Sequence, residues 1–113
     1  MSDTQSTQFV QILTTTEHEE DARAIARQLV ERRLAACVQI VGPIESVYRW
    51  KGNVQTAREW RCEAKTTIAL CRKATEAIAA IHPYETPEII ALPISGMNDG
   101  YRQWLLNQTG ESH

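Results

Sequence analysis

The segment His82-Pro83-Tyr84-Glu85-Thr86-Pro87-Glu88 carries an imidazole, a phenol and carboxylates on one short connection stiffened by two prolines. Rigid loops of this kind are where proteins place binding chemistry. His82 can offer a ring nitrogen to a metal, with Cys37 as a soft partner suited to Cu(I). The same histidine can instead cap a helix, meeting orphan carbonyls at the negative end of the dipole. Cys37 lies in an apolar run, where a free cysteine also serves as a small core residue. A second constellation joins Tyr84 and Glu85 to Glu59 and Lys65. On a strand Glu59 and Lys65 share a face with Arg61 and Glu63, because side chains alternate with period two. Such a set makes either an ion-pair and hydrogen-bond network between subunits or a cleft for a small anion or polar ligand.

His82 and Glu85 would make an acid–base pair. Yet the chain has no G-x-S-x-G, no glycine-rich phosphate loop, no H-E-x-x-H and no Cys–His–acid signature. The expectation is binding without catalysis. A formal net charge of −2 gives no reason to expect nucleic acid or an anionic membrane as partner. No apolar run approaches the roughly 20 residues a membrane span needs, and the first residues lack the pattern of a signal peptide. Cys37, Cys62 and Cys71 are odd in number and form no C-x-x-C pair, which points to a reducing cytoplasm. His18 reads as a solvated first-turn residue and His113 as part of the tail.

A chain of 113 residues builds one domain with its own core. Residues 9–107 are expected to form it, between a disordered arm at 1–8 and a flexible tail at 108–113. Phe9 to Thr14 reads as a strand. Thr16-Glu17-His18-Glu19 has the form of a capping box, and Ala22, Ile25, Ala26, Leu29, Val30 and Leu34 make the apolar face of the helix that follows, with Arg32 and Arg33 in its last turn. Ala35 to Trp50 reads as a long strand disturbed at Gly42-Pro43, since proline within a strand implies an edge or a bulge. A turn at Lys51-Gly52-Asn53 leads to a second long strand, about Thr56 to Leu70. Cys71 to Ile81 is helical, with Ala74, Ala77, Ile78 and Ile81 as its buried stripe. Pro83 stops it. Strand Glu88 to Ile94 and a short helix capped by Asn98 complete the chain, the helix presenting Tyr101, Trp104 and Leu105.

This order, β-α-β twice with a C-terminal helix, is the ferredoxin-like α+β arrangement: an antiparallel sheet with helices on one face and a long β-hairpin. The hairpin is too long for its helices. Ala35 to Trp50 extends about 50 Å if unbroken, whereas the helix from Glu17 to Leu34 covers only about 27 Å. The far end carries Val47, Tyr48, Trp50 and Trp60, an aromatic load that a lone subunit would leave wet. Self-association is the remedy, and Tyr48, Trp50, Trp60, Tyr101 and Trp104 are the expected contacts between subunits. Stacking of a ligand ring is their alternative use.

Several motifs in order carry a family resemblance: Glu31-Arg32-Arg33-Leu34-Ala35-Ala36-Cys37-Val38, Tyr48-Arg49-Trp50-Lys51-Gly52, Glu59, Lys65-Thr66-Thr67, His82 to Glu88, and Tyr101-Arg102-Gln103-Trp104-Leu105. From about Val10 to Leu106 the chain resembles the CutA family of divalent-cation tolerance proteins. The resemblance implies a homotrimer of ferredoxin-like protomers with hairpins paired between subunits, an architecture like that of the PII signalling proteins. It also implies a role in tolerance to copper or another divalent cation, exerted by binding a metal or ligand. A PII-like signalling or scaffold trimer with a small ligand in its inter-subunit clefts is the alternative. In bacterial members the copper ligands proposed are a cysteine ending the first strand and two adjacent histidines before Pro-Tyr. The corresponding residues here are Thr14, Ile81 and His82, so one of three is retained.

Overall fold

A computed structural model of the chain describes residues 8–110. Apart from Gln8, the expected N-terminal arm lies outside them, as do residues 111–113 of the tail, including His113. Strand β1 (Phe9–Thr16) is central to the sheet, whose order is β2-β3-β1-β4 with β2 (Cys37–Trp50), β3 (Asn53–Thr67) and β4 (Ile89–Ile94). Every neighbouring pair is antiparallel. Val10 and Ile12 of β1 point at helices α1 (Glu19–Glu31) and α2 (Cys71–Ile81). There they pack with Ala22, Ile25, Leu29, Ala74 and Ile78, over Cys62 and Ala64 of β3. The two crossover helices therefore share one face, the ferredoxin-like layout. Phe9, of opposite parity to Val10 and Ile12, points to the other face, where α3 (Asp99–Gln108) covers one end of the sheet through Leu105. Burial pushes the Cys62 thiol up to about 11, and it donates to the Ala22 carbonyl, so it behaves as a small core residue.

Local details differ from expectation where tertiary contacts compete. Thr16 is the last residue of β1, and its hydroxyl donates to the His18 carbonyl; no side chain caps α1, and the capping box does not form. Ile81 is 40% exposed and Val30 42%, so both helix stripes are narrower than the apolar pattern suggests. β3 stops at Thr67, and Ile68–Leu70 form a 3-10 turn. Asn98 is the N-cap of α3 by backbone geometry, though its side chain makes no capping bond.

Arg32 and Arg33 fall past the last turn of α1. Arg33 has φ 58, and the amides of Arg33 and Leu34 donate to Val30 and Leu29 carbonyls, a Schellman closure with arginine where glycine is usual. The reason lies across the fold. Arg33 Nε and Nη2 donate to the carbonyls of Gly110 and Asn107 at 3.0 and 2.7 Å, and the Gly110 amide returns a bond to the Arg33 carbonyl. These contacts satisfy the end of α3 and tie down Thr109 and Gly110, which were expected in the flexible tail; Thr109 is buried. Arg33→Ala is expected to lower stability by about 2 kcal/mol. Arg33→Gly should cost roughly 1 kcal/mol less, because glycine adopts positive φ freely. Urea unfolding of both variants reads the difference, and an equal loss would contradict a strained position held by its contacts.

The long hairpin positions the site. Its turn is two residues, Lys51 (φ 51) and Gly52 (φ 82), the mirror-type turn that matches strand twist. Val41 pairs with Arg61 but Ile44 with Glu59, so Gly42 and Pro43 together oppose Trp60. This is the expected bulge. The Trp60 indole lies close against Gly42, where an added Cβ would come within 2.7 Å of Trp60 Cγ. The bulge also changes parity. Before it, Cys37, Gln39 and Val41 share the open face with Lys65, Glu63 and Arg61; after it, Ile44, Ser46, Tyr48 and Trp50 share that face with Glu59.

Candidate functional site

Glu59 is the centre of the site. Only 7% of it is exposed, although it lies where β3 has run past the end of β1. Two hydroxyls hold it: Ser46 Oγ donates to Oε1 and Tyr84 Oη to Oε2, each at 2.6 Å. Ser46 reaches it because of the bulge. Tyr84 reaches it from the two-proline loop, which His82 anchors to the sheet.

His82 ends α2, and its ring is committed on both sides. Nδ1 accepts from the Tyr84 amide at 3.1 Å, and Nε2 lies 2.8 Å from the Thr15 carbonyl. A carbonyl cannot donate, so the tautomer is Nε2–H. The expected helix-capping role is thus shifted: the backbone N–H of His82 closes the helix on Ile78, while its imidazole ties the loop to β1. Its ring also packs against that of Tyr84, with centroids 4.8 Å apart. Burial, with the hydrogen bond and charge of Glu59 behind it, pushes the Tyr84 phenol above its ordinary range, so it remains a donor.

Between the loop and the hairpin opens a cleft of about 600 Å³, lined by Thr15, Ser46, Val47, Tyr48, Trp50, Glu59, Tyr84, Glu85, Thr86 and Glu88. Of the expected cleft residues, Glu59, Tyr84 and Glu85 are brought together. Lys65 is not: it shares the face of Glu59, but six residues along a strand is about 20 Å, and its ammonium donates to Gln39 instead. Arg61 pairs with Glu63 at 3.0 Å, which gives Glu63 its partner. Within the single subunit the described lining holds three carboxylates, Glu59, Glu85 and Glu88, and no lysine or arginine. Ser46 and Thr15 escaped sequence reasoning. Carrying the parity change at Gly42-Pro43 through to Ser46 was the available signal.

The aromatic residues divide. Tyr48, Trp50 and Trp104 are 42–47% exposed and free to meet another surface. Trp60 packs on its own bulge and core. Tyr101 packs beside Phe9 and Leu105, and its phenol is pushed up by burial and by the adjacent Cys37 thiol.

Cys37 and His82 are not brought together as a metal pair. Cys37 pairs with Lys65, which pairs with Gln11, on the open face. His82 bonds to Thr15, four residues farther along β1, or about 13 Å. The copper set implied by the resemblance does not fit either: Thr14 offers a buried, unpartnered hydroxyl, Ile81 an exposed alkyl chain, and His82 has both nitrogens engaged. Among the described residues no three His, Cys, Asp or Glu side chains converge as a metal requires, and no helix is long and apolar enough to cross a membrane.

Residues 10–108 match the family described as CutA1 divalent ion tolerance protein. The divalent-cation tolerance protein CutA of Thermus thermophilus is 48% identical over 99 residues, covering 88% of this chain and 96% of its own. A solved structure of that species' protein superimposes with a TM-score of 0.87 at 47% identity, over 90% of this chain and 99% of the other. The chloroplastic CutA of Arabidopsis thaliana is 44% identical over 87% of this chain, which spans only 54% of that protein. A CutA from Archaeoglobus fulgidus, described as periplasmic, superimposes at 0.86 with 33% identity, over 88% of this chain and 97% of the other. Compartment thus varies among proteins with this fold. Matched along nearly all its described residues, the chain belongs to the CutA1 divalent ion tolerance family.

Proposed function

We propose that the protein serves divalent-cation tolerance by binding rather than catalysis, as a homotrimer in which the cleft around Glu59 is the binding site. The observation that carries the reading is the hairpin. Val47 and Val54 are 66% and 64% exposed, Tyr48 and Trp50 nearly half exposed, on an arm that makes the subunit 48 Å long. An apolar arm of this size is stable in water when sister copies cover it. Because the same arm forms one wall of the cleft, assembly and binding are linked. The three free cysteines accord with a reducing cytoplasm. The second reading, a PII-like signalling or scaffold trimer, uses the same cleft. Its size favours a small organic ligand over a bare ion.

Sedimentation in dilute buffer tests the assembly, with three copies expected. Val47→Glu with Val54→Glu should release folded single subunits, since both side chains already face solvent in the subunit. A folded monomer from the unaltered chain would overturn the reading. Titration with Cu(I), Cu(II) and Zn(II) tests the metal side. Equal affinity in the unaltered protein and in His82→Ala and Cys37→Ser would remove those two residues as ligands.

A further inference from the structure

Of the three α-helices described, α3 alone lies on the open face of the sheet, and it is the least anchored. Its one buried residue is Leu105, whereas α1 buries Ala22, Ile25 and Leu29 and α2 buries Ala74, Ala77 and Ile78. A helix of 10 residues does not persist in water by itself, because its first turn is fixed for a single hydrogen bond. The last turn of α3 has no basic residue of its own, and Asn98 makes no side-chain cap at its start. The missing positive charge comes from Arg33, which stands 74 and 77 residues away in sequence from the carbonyls it binds. Its guanidinium donates to Asn107 and Gly110 at the negative end of the helix dipole, while the Gly110 amide donates to the Arg33 carbonyl. All three bonds lie within one chain and join the end of α1 to the end of α3. Covering the open face with sister copies leaves them in place.

We propose that Arg33 is a latch that keeps α3 seated on the sheet, and that release of α3 is the step by which a subunit leaves the assembly. The proposal rests on the trimer argued above, with Tyr101 and Trp104 of α3 among its contacts. Tyr101 packs beside Phe9 and Leu105, and Trp104 lies against Tyr101 with ring centroids 5.4 Å apart. Trp104 therefore meets a sister subunit in a fixed place only while Leu105 and Tyr101 are seated. Unseating α3 removes both aromatic contacts together. It leaves closed the main core, which lies between the opposite face of the sheet and helices α1 and α2.

Amide hydrogen exchange of the assembled protein tests the latch, and mixing of isotope-labelled with unlabelled trimers, followed by native mass spectrometry, tests the release. Arg33→Ala and Arg33→Gly both remove the guanidinium, but glycine keeps the left-handed turn without strain. In the unaltered protein the amides of α3 are expected to exchange well ahead of those in the core strands. Both variants should speed exchange in α3 equally, by about tenfold or more. Core amides follow overall stability instead, and should gain more in Arg33→Ala than in Arg33→Gly. Subunits should mix faster by the factor seen in α3, because opening precedes departure. The inference is overturned if glycine restores the protection of α3, if neither variant loosens it, if α3 exchanges only together with the core, or if mixing keeps its original rate. Sedimentation of the same samples separates the two readings. A trimer that gives any of those results defeats this inference alone. An unaltered protein that sediments as a single folded subunit defeats the assembly and the release step with it, while exchange in α3 still reads the hold of Arg33.

Discussion

Replacing Gly42 with alanine is expected to cost about 2–3 kcal/mol of folding stability, at the upper end of what one added methyl does in a packed site. The new Cβ would lie 2.7 Å from Trp60 Cγ and 2.9 Å from Nε1. Trp60 cannot swing aside cheaply, because it also packs against the main core. The strand must therefore move, and with it the bulge. If the extra residue were lost and the earlier register continued, Pro43 would oppose Glu59 and Ser46 would face away from it. Glu59 would lose one of its two hydroxyl partners, and the cleft the aromatic wall built on even positions. Urea unfolding measures the first effect. The second appears as loss of ligand binding beyond what reduced stability explains. In a Trp60→Leu background the alanine should cost less, since the ring it strikes is gone. Strictly additive penalties would show that Gly42 is needed for something other than the approach of Trp60.

That chain of cause shows how far the sequence could be read. The order of elements was legible from local pattern: Ala22, Ile25 and Leu29 on one helix face, the short apolar stretch from Phe9 to Thr14, and Pro83 to stop α2. The bulge was legible from Gly42-Pro43. Three members of the cleft, Glu59, Tyr84 and Glu85, were legible as chemistry on stiff or strand positions. Lys65 was not separable from them by parity, because period two reports a face and not a place along it. Cys37 and His82 failed as a pair for the same reason: residue type names a possible ligand, while register sets the distance between two of them. The Arg33 clasp was hidden. Its partners are backbone carbonyls of Asn107 and Gly110, and carbonyls leave no mark in a sequence. Thr16 misled because a hydroxyl before an acidic first turn looks the same whether it caps a helix or ends a strand.

Removing the carboxylate at the centre of the cleft should have the other large effect. Glu59→Ala leaves the hydroxyls of Ser46 and Tyr84 facing a hole, and about 3 kcal/mol of stability should go with it. Tyr84→Phe removes one hydrogen bond to a charged acceptor and should cost roughly 1.5–3 kcal/mol at neutral pH. The phenol also sets a pH dependence with a definite sign. Its pKa is raised in the folded protein above the ordinary 10.0, by burial first and then by the hydrogen bond and charge of Glu59. The folded state therefore holds this proton more tightly than the unfolded chain does. The stability it contributes is complete below pH 10 and drains away as pH rises toward the folded-state value. Unaltered protein should lose stability above pH 10 more steeply than Tyr84→Phe, so that the two converge in strong alkali. Tyr101 and Cys62 are raised as well, but both remain in the variant and cancel in the comparison. Urea unfolding of the pair at pH 7, 9, 10 and 11 reads the gap. A gap that stays constant, or widens with pH, would mean that Tyr84 contributes through packing against His82 and not through its proton on Glu59.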